Sequence, residues 1–99
     1  MEGKSVRSVE RALDILLCFT DQPELTLTEI SRKVNLNKST VYRLLNALAK
    51  KGFVVKNKAT DKYKLGLAVW ELFVHMERGE DPAVILLTEM ERLRDQLDE

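Results

Sequence analysis

Two helical segments joined by only three residues constrain the fold of this chain more than any other feature. The first segment begins at Thr26, because Thr26 and Glu29 have the spacing of a capping box, and it continues to about Val34. Residues 35–37 connect it to the second segment, for which Asn37 is a candidate N-cap. Two helices joined by a turn of this length form a helix-turn-helix.

Residues that end helices follow both segments. Asn35 tolerates the left-handed backbone conformation and is expected to end the first of them. Gly52 has the corresponding position after the second, which therefore ends at about Lys51. Leu25 and Ile30 also have the spacing of a hydrophobic staple, which fixes the direction in which a chain enters a helix.

Helical periodicity predicts one helix before this motif and two after it, so that the motif contains the second and third helices of the chain. Val9, Leu13, Leu16 and Leu17 recur at helical spacing in the first helix. The predicted ranges are about 9–19 for the first helix, 67–78 for the fourth, and 82 to 97 or the chain end for the fifth, with Asp81 as its N-cap and Pro82 at its first position.

Two β-prone runs between the third and fourth helices predict a β-hairpin. The predicted fold class is therefore mainly α with a small β-hairpin. It is a winged helix-turn-helix, with a three-helix core and a wing, followed by a linker helix and a further C-terminal helix. The helix-turn-helix covers about 26–51 and the wing about 53–65. Alternation in the hairpin places on one face Phe53, Val55, Tyr63 and Leu65, with the lysines on the other.

Charge is balanced over the 99 residues but unevenly distributed. The chain has 16 basic and 16 acidic residues. Ten of the basic residues lie in residues 32–64, together with a single acid, Asp61, whereas the flanking segments carry an excess of acids. Such a local excess of positive charge predicts a surface that binds a polyanion, and the alternative is a solvated basic surface.

The third helix has an apolar side for the core and an opposite side without any carboxylate. Val41, Leu44, Leu45 and Leu48 fall within a narrow arc of the helix. The other side combines hydrogen-bonding groups, cations and an aromatic ring, which suits the major groove of DNA. Its residues are Lys38, Ser39, Thr40, Tyr42, Arg43, Asn46 and Lys50.

These side chains divide into those suited to bases and those suited to phosphates. Arg43 suits a bidentate contact with guanine and Asn46 one with adenine, whereas Lys38 and Lys50 suit phosphates. Backbone or minor-groove contacts with DNA are expected from the wing lysines Lys56, Lys58, Lys62 and Lys64.

The competing interpretation of this chain is a winged-helix protein-interaction module that docks an acidic partner.

The composition argues against a metalloenzyme or a membrane protein. One cysteine, Cys18, and one histidine, His75, cannot supply the three or four protein ligands of a zinc site. We expect Cys18 to be a buried, inert thiol and His75 a surface residue. No Ser-His-Asp set or glycine-rich phosphate loop is visible, so no enzyme activity, metal or cofactor is expected. Without a membrane-spanning run or a signal-peptide core, the expected compartment is the cytoplasm.

Residues 5–67 resemble the N-terminal winged helix-turn-helix of the IclR family of bacterial transcriptional regulators. Many members have Gly and Pro where this chain has Asn35 and Asn37, and Asn suits both roles. The wing turn, often Gly in the family, is here Ala59-Thr60-Asp61. The matching segments are Ser8 to Leu13, Leu25 to Ile30, Leu36 to Leu45, Lys51 to Val54 and Tyr63 to Gly66.

The resemblance implies a transcriptional repressor or activator that binds a double-stranded DNA operator. Family members carry a second, larger domain that binds a small-molecule effector. Residues 68–79 then correspond to a linker helix and residues 80–99 to the start of that domain. We expect the chain to be a piece of a longer protein or a stand-alone relative, with no effector pocket of its own.

The fourth and fifth helices predict a homodimer, which the resemblance also implies. The fourth is apolar around most of its circumference, and the fifth has apolar residues at coiled-coil spacing. A two-fold axis would present two third helices to successive major grooves of a palindromic operator, and the full-length protein can form a higher oligomer. The alternative is that Trp70 and Phe73 complete the monomer core or pack against the missing domain. The predicted dimerisation residues are Trp70, Phe73, Leu86, Met90 and Leu93.

Overall fold

Five helices and a three-stranded antiparallel sheet make up the part of the chain that the computed structural model describes, residues 2–76 and 82–97. This architecture confirms the predicted fold class. The elements are α1 Glu2–Leu17, a 3-10 turn Cys18–Thr20, β1 Leu25–Thr26, α2 Leu27–Val34, α3 Lys38–Lys50, β2 Val54–Asn57, β3 Lys62–Leu65, α4 Leu67–Val74 and α5 Pro82–Leu97.

The chain divides into two compact units, Met1–Val69 and Trp70–Glu99. The first contains α1, α2, α3 and the sheet, and its core is a single apolar cluster. Within residues 2–76 and 82–97, no helix combines the length and the apolar character that crossing a membrane requires. The buried members of the core are Ile15, Phe19, Leu25, Ile30, Val41, Leu45, Val54 and Tyr63.

Helix α1 differs from its prediction in both its start and its buried face. It begins at Glu2 and not at about residue 9. The apolar side chains of Val9, Leu13 and Leu17 are each more than half exposed, whereas Ile15 is fully buried. The periodicity therefore predicted the helix correctly but did not identify which of its apolar faces packs on the core.

The start of α2 has the predicted capping box and staple. The Glu29 N–H donates to Thr26 Oγ1 at 3.1 Å, and the Thr26 N–H donates to Glu29 Oε1 at 2.8 Å. The backbone hydrogen bond from Thr26 is the main reason that the pKa of Glu29 lies below its ordinary value. Leu25 and Ile30 are both fully buried beneath the cap.

Two asparagines form the turn between α2 and α3, as the sequence predicts. Asn35 has φ of 56° and ψ of 48°, the left-handed conformation that ends α2. Asn37 caps α3, because its Oδ1 accepts the Thr40 N–H at 2.8 Å. The Ser31 hydroxyl also donates to the Leu36 carbonyl oxygen, which fastens the turn to α2.

Helix α3 ends in a Schellman motif at Gly52, as predicted. Gly52 has φ of +85°, its N–H donates to the Ala49 carbonyl at 3.0 Å, and the Phe53 N–H donates to the Leu48 carbonyl at 2.9 Å. The chain returns to this turn after the wing, because the Gly66 N–H donates to the Phe53 carbonyl at 2.8 Å. The end of α3 and the end of the wing are thus bonded to each other.

The sheet has the order β1-β3-β2, so that β1 adds a third strand to the predicted hairpin. The register pairs Val54 with Leu65 and Lys56 with Tyr63. Val54 is 2% exposed and Val55 is 45% exposed. The predicted face for β2 is therefore wrong by one residue. Because the Phe53 N–H is used to end α3, the ladder begins at Val54, and Val54 faces the core.

Helix α4 is shorter than predicted. It ends at Val74, and the Met76 N–H donates to the Phe73 carbonyl at 3.1 Å in the turn that follows. A ring nitrogen of His75 lies 2.8 Å from the Glu71 carbonyl oxygen, which is the oxygen that the next helical turn would use. The rest of the predicted range, 77–78, and the predicted N-cap Asp81 lie outside the described residues.

We predict that Gly66→Ala lowers the free energy of unfolding by about 1–3 kcal/mol, the usual range for overpacking. A Cβ at Gly66 would lie 2.3 Å from the Gly52 carbonyl oxygen, so that one of two hydrogen-bonded backbone segments must move. Urea unfolding measures the change, with Ala59→Ser at the exposed wing tip as a neutral control. A Gly66→Ala variant as stable as the wild type would contradict this close approach.

Candidate nucleic-acid interface

Helix α3 packs on the core with the predicted apolar side. Val41 and Leu45 are fully buried, and Leu44 and Leu48 are half-buried around them. The opposite side is exposed except for Thr40, which is half-buried. Its exposed residues are Lys38, Ser39, Tyr42, Arg43, Asn46 and Lys50.

The first turn of α3 is held in place by its cap. Asn37 Oδ1 accepts the Thr40 N–H at 2.8 Å and the Ser39 hydroxyl at 2.9 Å. Ser39 therefore has an acceptor for its proton, while the lone pairs of its oxygen are available to an incoming donor. This arrangement orders the end of α3 that carries Lys38.

A shallow depression follows the exposed side of α3. It has a volume of about 700 Å³ and is lined by Arg43, Asn46, Ala47, Ala49 and Lys50. The two alanines keep the helix surface low between the longer side chains, which permits close approach of a flat partner. Neither alanine was predicted from the sequence, because a small residue on the polar face of a helix has no pattern that marks it as part of a binding site.

The cations of α3 are not neutralised within the fold. Over residues 2–76 and 82–97, Lys38, Arg43 and Lys50 form no ion pair with a carboxylate. Elsewhere in the first unit, Lys33 Nζ lies 3.7 Å from Asp21 Oδ2. The exposed side of α3 therefore presents uncompensated positive charge.

The wing presents its lysines on two faces and not on one. Lys58 is exposed at the tip, and Lys62 and Lys64 are exposed on β3. Lys56 lies instead on the same face as Tyr63, with its Nζ 5.8 Å from the centre of the Tyr63 ring. The prediction that all wing lysines share the outer face is thus wrong for Lys56, because the alternation of faces along β2 is shifted by one residue from the predicted pattern.

A cleft of about 250 Å³ separates the wing from the two helices of the motif. Tyr42 of α3 and Thr28 of α2 line it together with residues of the sheet. Thr28 was not predicted as a site residue, since the cleft exists only through tertiary packing and has no local sequence pattern. The remaining lining residues are Thr26, Leu27, Lys56, Asp61 and Tyr63.

The predicted dimerisation residues lie in the second unit and are largely exposed. The rings of Trp70 and Phe73 pack against each other, with centroids 5.6 Å apart and planes inclined by 37°. On α5, Leu86, Met90 and Leu93 are between 40% and 56% exposed. Phe73 is half-buried.

Neither Cys18 nor His75 lines the depression along α3 or the cleft beside the wing. Cys18 is half-buried and not fully buried as predicted, and its Sγ lies 3.4 Å from the Asp14 carbonyl oxygen. Burial raises the pKa of this thiol, which disfavours the reactive thiolate form. His75 is exposed, as predicted. In the described part of the chain, no three His, Cys, Asp or Glu side chains are close enough to hold a metal.

Comparison with known proteins also identifies a helix-turn-helix domain in this chain. The IclR helix-turn-helix domain matches residues 8–58, just over half of the chain. The HTH-type transcriptional regulator XynR of Escherichia coli (strain K12) is 43% identical over 67 residues, which are 67% of this chain and 27% of XynR. The HTH-type transcriptional regulator KdgR of the same organism is 35% identical over 92 residues, covering 90% of this chain and 35% of KdgR.

Solved structures give the same relationship. The crystal structure of an IclR transcriptional regulator from Alicyclobacillus acidocaldarius superposes with a TM-score of 0.70 at 28% identity, over 76% of this chain and 31% of that one. The chain thus spans about a third or less of the length of these relatives. Both Escherichia coli relatives are named as HTH-type transcriptional regulators. With its capped helix-turn-helix, three-stranded wing and matching domain model, the chain belongs to the IclR helix-turn-helix domain family.

Proposed function

We propose that this chain is the operator-binding part of an IclR-type transcriptional regulator and that it binds a palindromic DNA site as a homodimer. The observation that carries the proposal is the exposed side of α3, which bears cations, amide and hydroxyl groups and no carboxylate. The membership of the helix-turn-helix family supports the same partner.

In this proposal α3 enters the major groove, which admits one α-helix. Arg43 donates two hydrogen bonds to a guanine and Asn46 pairs with an adenine, with Ser39 and Thr40 at neighbouring bases. Lys38 and Lys50 contact phosphates on either side and set the register without reading sequence. The exposure of Ser39, Arg43 and Asn46 and the low surface at Ala47 support such close contact.

The wing contributes contacts with the DNA backbone. Lys58, Lys62 and Lys64 are exposed, and none of them forms an ion pair within the described residues. Free surface cations of this kind suit phosphates, whose neutralisation releases counterions and makes binding salt-dependent. Tyr42, which is 47% exposed at the side of α3, adds a hydroxyl donor to these contacts with the DNA backbone.

The second unit provides the dimer contact in our proposal. Trp70, Leu86, Met90 and Leu93 are exposed apolar side chains, and the half-buried Phe73 packs against Trp70. Exposed apolar patches mark association sites. A two-fold axis then sets two copies of α3 one helical turn apart, about 34 Å, on the duplex.

In this proposal the chain supplies the DNA-binding part of the regulator, and another part binds the effector. We propose that a small-molecule effector acts through a C-terminal domain that residues 80–99 begin. The DNA that such a regulator binds lies in the bacterial cytoplasm, and we place the protein there.

We predict that Arg43→Ala loses about 1–3 kcal/mol of binding free energy on the preferred duplex and less on random DNA, because Arg43 reads a base. Lys62→Ala is the matched control, since a phosphate contact weakens binding to both duplexes alike. Fluorescence anisotropy with the two labelled duplexes measures both variants. Equal losses on both duplexes for Arg43→Ala would make Arg43 a phosphate contact only.

We also predict that the chain sediments as a dimer at tens of micromolar and that Met90→Glu shifts it towards the monomer. A carboxylate in an apolar interface is desolvated without a partner, which opposes association. Asp95→Gln, a charge change elsewhere on α5, should leave the dimer unchanged. Analytical ultracentrifugation distinguishes these states, and a monomeric wild type would remove the dimer from the account.

A further inference from the structure

One wing lysine differs from the others in its surroundings. Lys56 points to the side of the wing that carries Tyr63, and it lines the 250 Å³ cleft together with Thr28 and Tyr42. Tyr42 belongs to the exposed side of α3, so the cleft lies next to the proposed DNA surface. Lys56 is therefore the wing cation that shares this cleft with a residue of α3.

The partner of Lys56 is the single acidic residue of the basic segment. Asp61 is the only Asp or Glu within residues 32–64, and its Oδ1 lies 3.6 Å from Lys56 Nζ. The two side chains are 80% and 43% exposed respectively. Exposed ion pairs of this kind contribute little and are screened by salt, so that a competing anion displaces them easily.

The backbone holds Asp61 in that place. Asp61 has φ of 62°, in the left-handed region, and its N–H donates to the Asn57 carbonyl at 2.7 Å. Asn57 Oδ1 also accepts the Ala59 N–H at 2.9 Å, which orders the tip of the wing. The carboxylate is thus presented to Lys56 by a defined turn.

We propose that the cleft between the wing and the helix-turn-helix is a binding site for one DNA backbone phosphate and that Asp61 occupies the lysine of this site until DNA arrives. The proposal rests on the DNA-binding function proposed above. A phosphate oxygen takes the position of the Asp61 carboxylate beside Lys56. Thr28 and Tyr42, which carry hydroxyl donors and line the same cleft, supply its further hydrogen bonds.

This exchange has a consequence for affinity. Each duplex must compete with a carboxylate that is attached to the protein, and Asp61 itself is repelled by the phosphates that it faces. Asp61 therefore weakens binding to every duplex, whatever its sequence, because a phosphate contact carries no sequence information. Among the described residues, Lys64 forms no ion pair with a carboxylate, whereas Lys62 lies close enough to the Glu29 carboxylate to help lower its pKa.

Asp61→Asn tests the proposal on the whole chain. Asparagine keeps the shape of the side chain and tolerates the left-handed conformation, so the turn is retained. We expect about two- to fivefold tighter binding to specific and random duplexes at about 100 mM salt, the range that the weakness of an exposed pair allows. The plot of log affinity against log salt should steepen by less than about 0.9, the contribution of one full phosphate contact, because Asp61 no longer offsets the charge of Lys56.

A double-mutant cycle distinguishes this exchange from a general effect of charge. In a Lys56→Met background, which keeps the aliphatic stem over Tyr63, the gain from Asp61→Asn should fall to the small part that comes from general charge repulsion. In a Lys64→Met background, which removes a cation from the outer face, the gain should remain. Thermal unfolding of each variant verifies that the wing is folded.

The outcomes separate the two proposals. A gain from Asp61→Asn that is equally large in the Lys56→Met background would overturn the phosphate site, and so would the absence of any gain, while wild-type DNA binding stands. A wild-type chain that binds no duplex at any salt concentration would overturn the DNA-binding function together with the site that depends on it. A gain that requires Lys56 but not Lys64 supports the site.

Discussion

The burial of Val41 and Leu45 fixes the rotation of α3 about its own axis, and the candidate surface depends on that rotation. Successive residues of a helix point about 100° apart, so the side that bears Arg43 and Asn46 is exposed because the opposite side is buried. The caps at Asn37 and Gly52 set the length of α3, and hence which residues belong to each side. The hydrophobic core and the proposed recognition surface are two sides of one helix.

Charged side chains contribute more to the surface proposed to bind DNA than to the stability of the fold. The ion pairs Lys33–Asp21 and Lys56–Asp61 join exposed side chains, and such pairs contribute about 0–1 kcal/mol each. The core of the first unit is apolar, and no buried polar or charged residue was found among its described members. Most cations of residues 32–64 are therefore free to bind a polyanion, although the whole chain has a formal net charge of zero.

Local interactions made the helix-turn-helix predictable from the sequence, whereas tertiary packing decided the rest. The capping box at Thr26 and the left-handed Asn35 involve residues within one turn of each other, so their spacing is visible in the sequence. The phase of β2 depended on the end of α3, which used the Phe53 N–H and so turned Val54 to the core. Likewise, the cleft at Lys56 brings together residues of α2, α3 and the sheet that no sequence period connects.

Selection of bound duplexes from a random pool examines DNA binding, symmetry and half-site spacing in one measurement. We expect enriched sequences with two inverted half-sites whose centres are about 10–10.5 base pairs apart, one turn of the duplex. A pool that remains random after repeated selection at low salt would contradict the claim that the exposed side of α3 reads DNA.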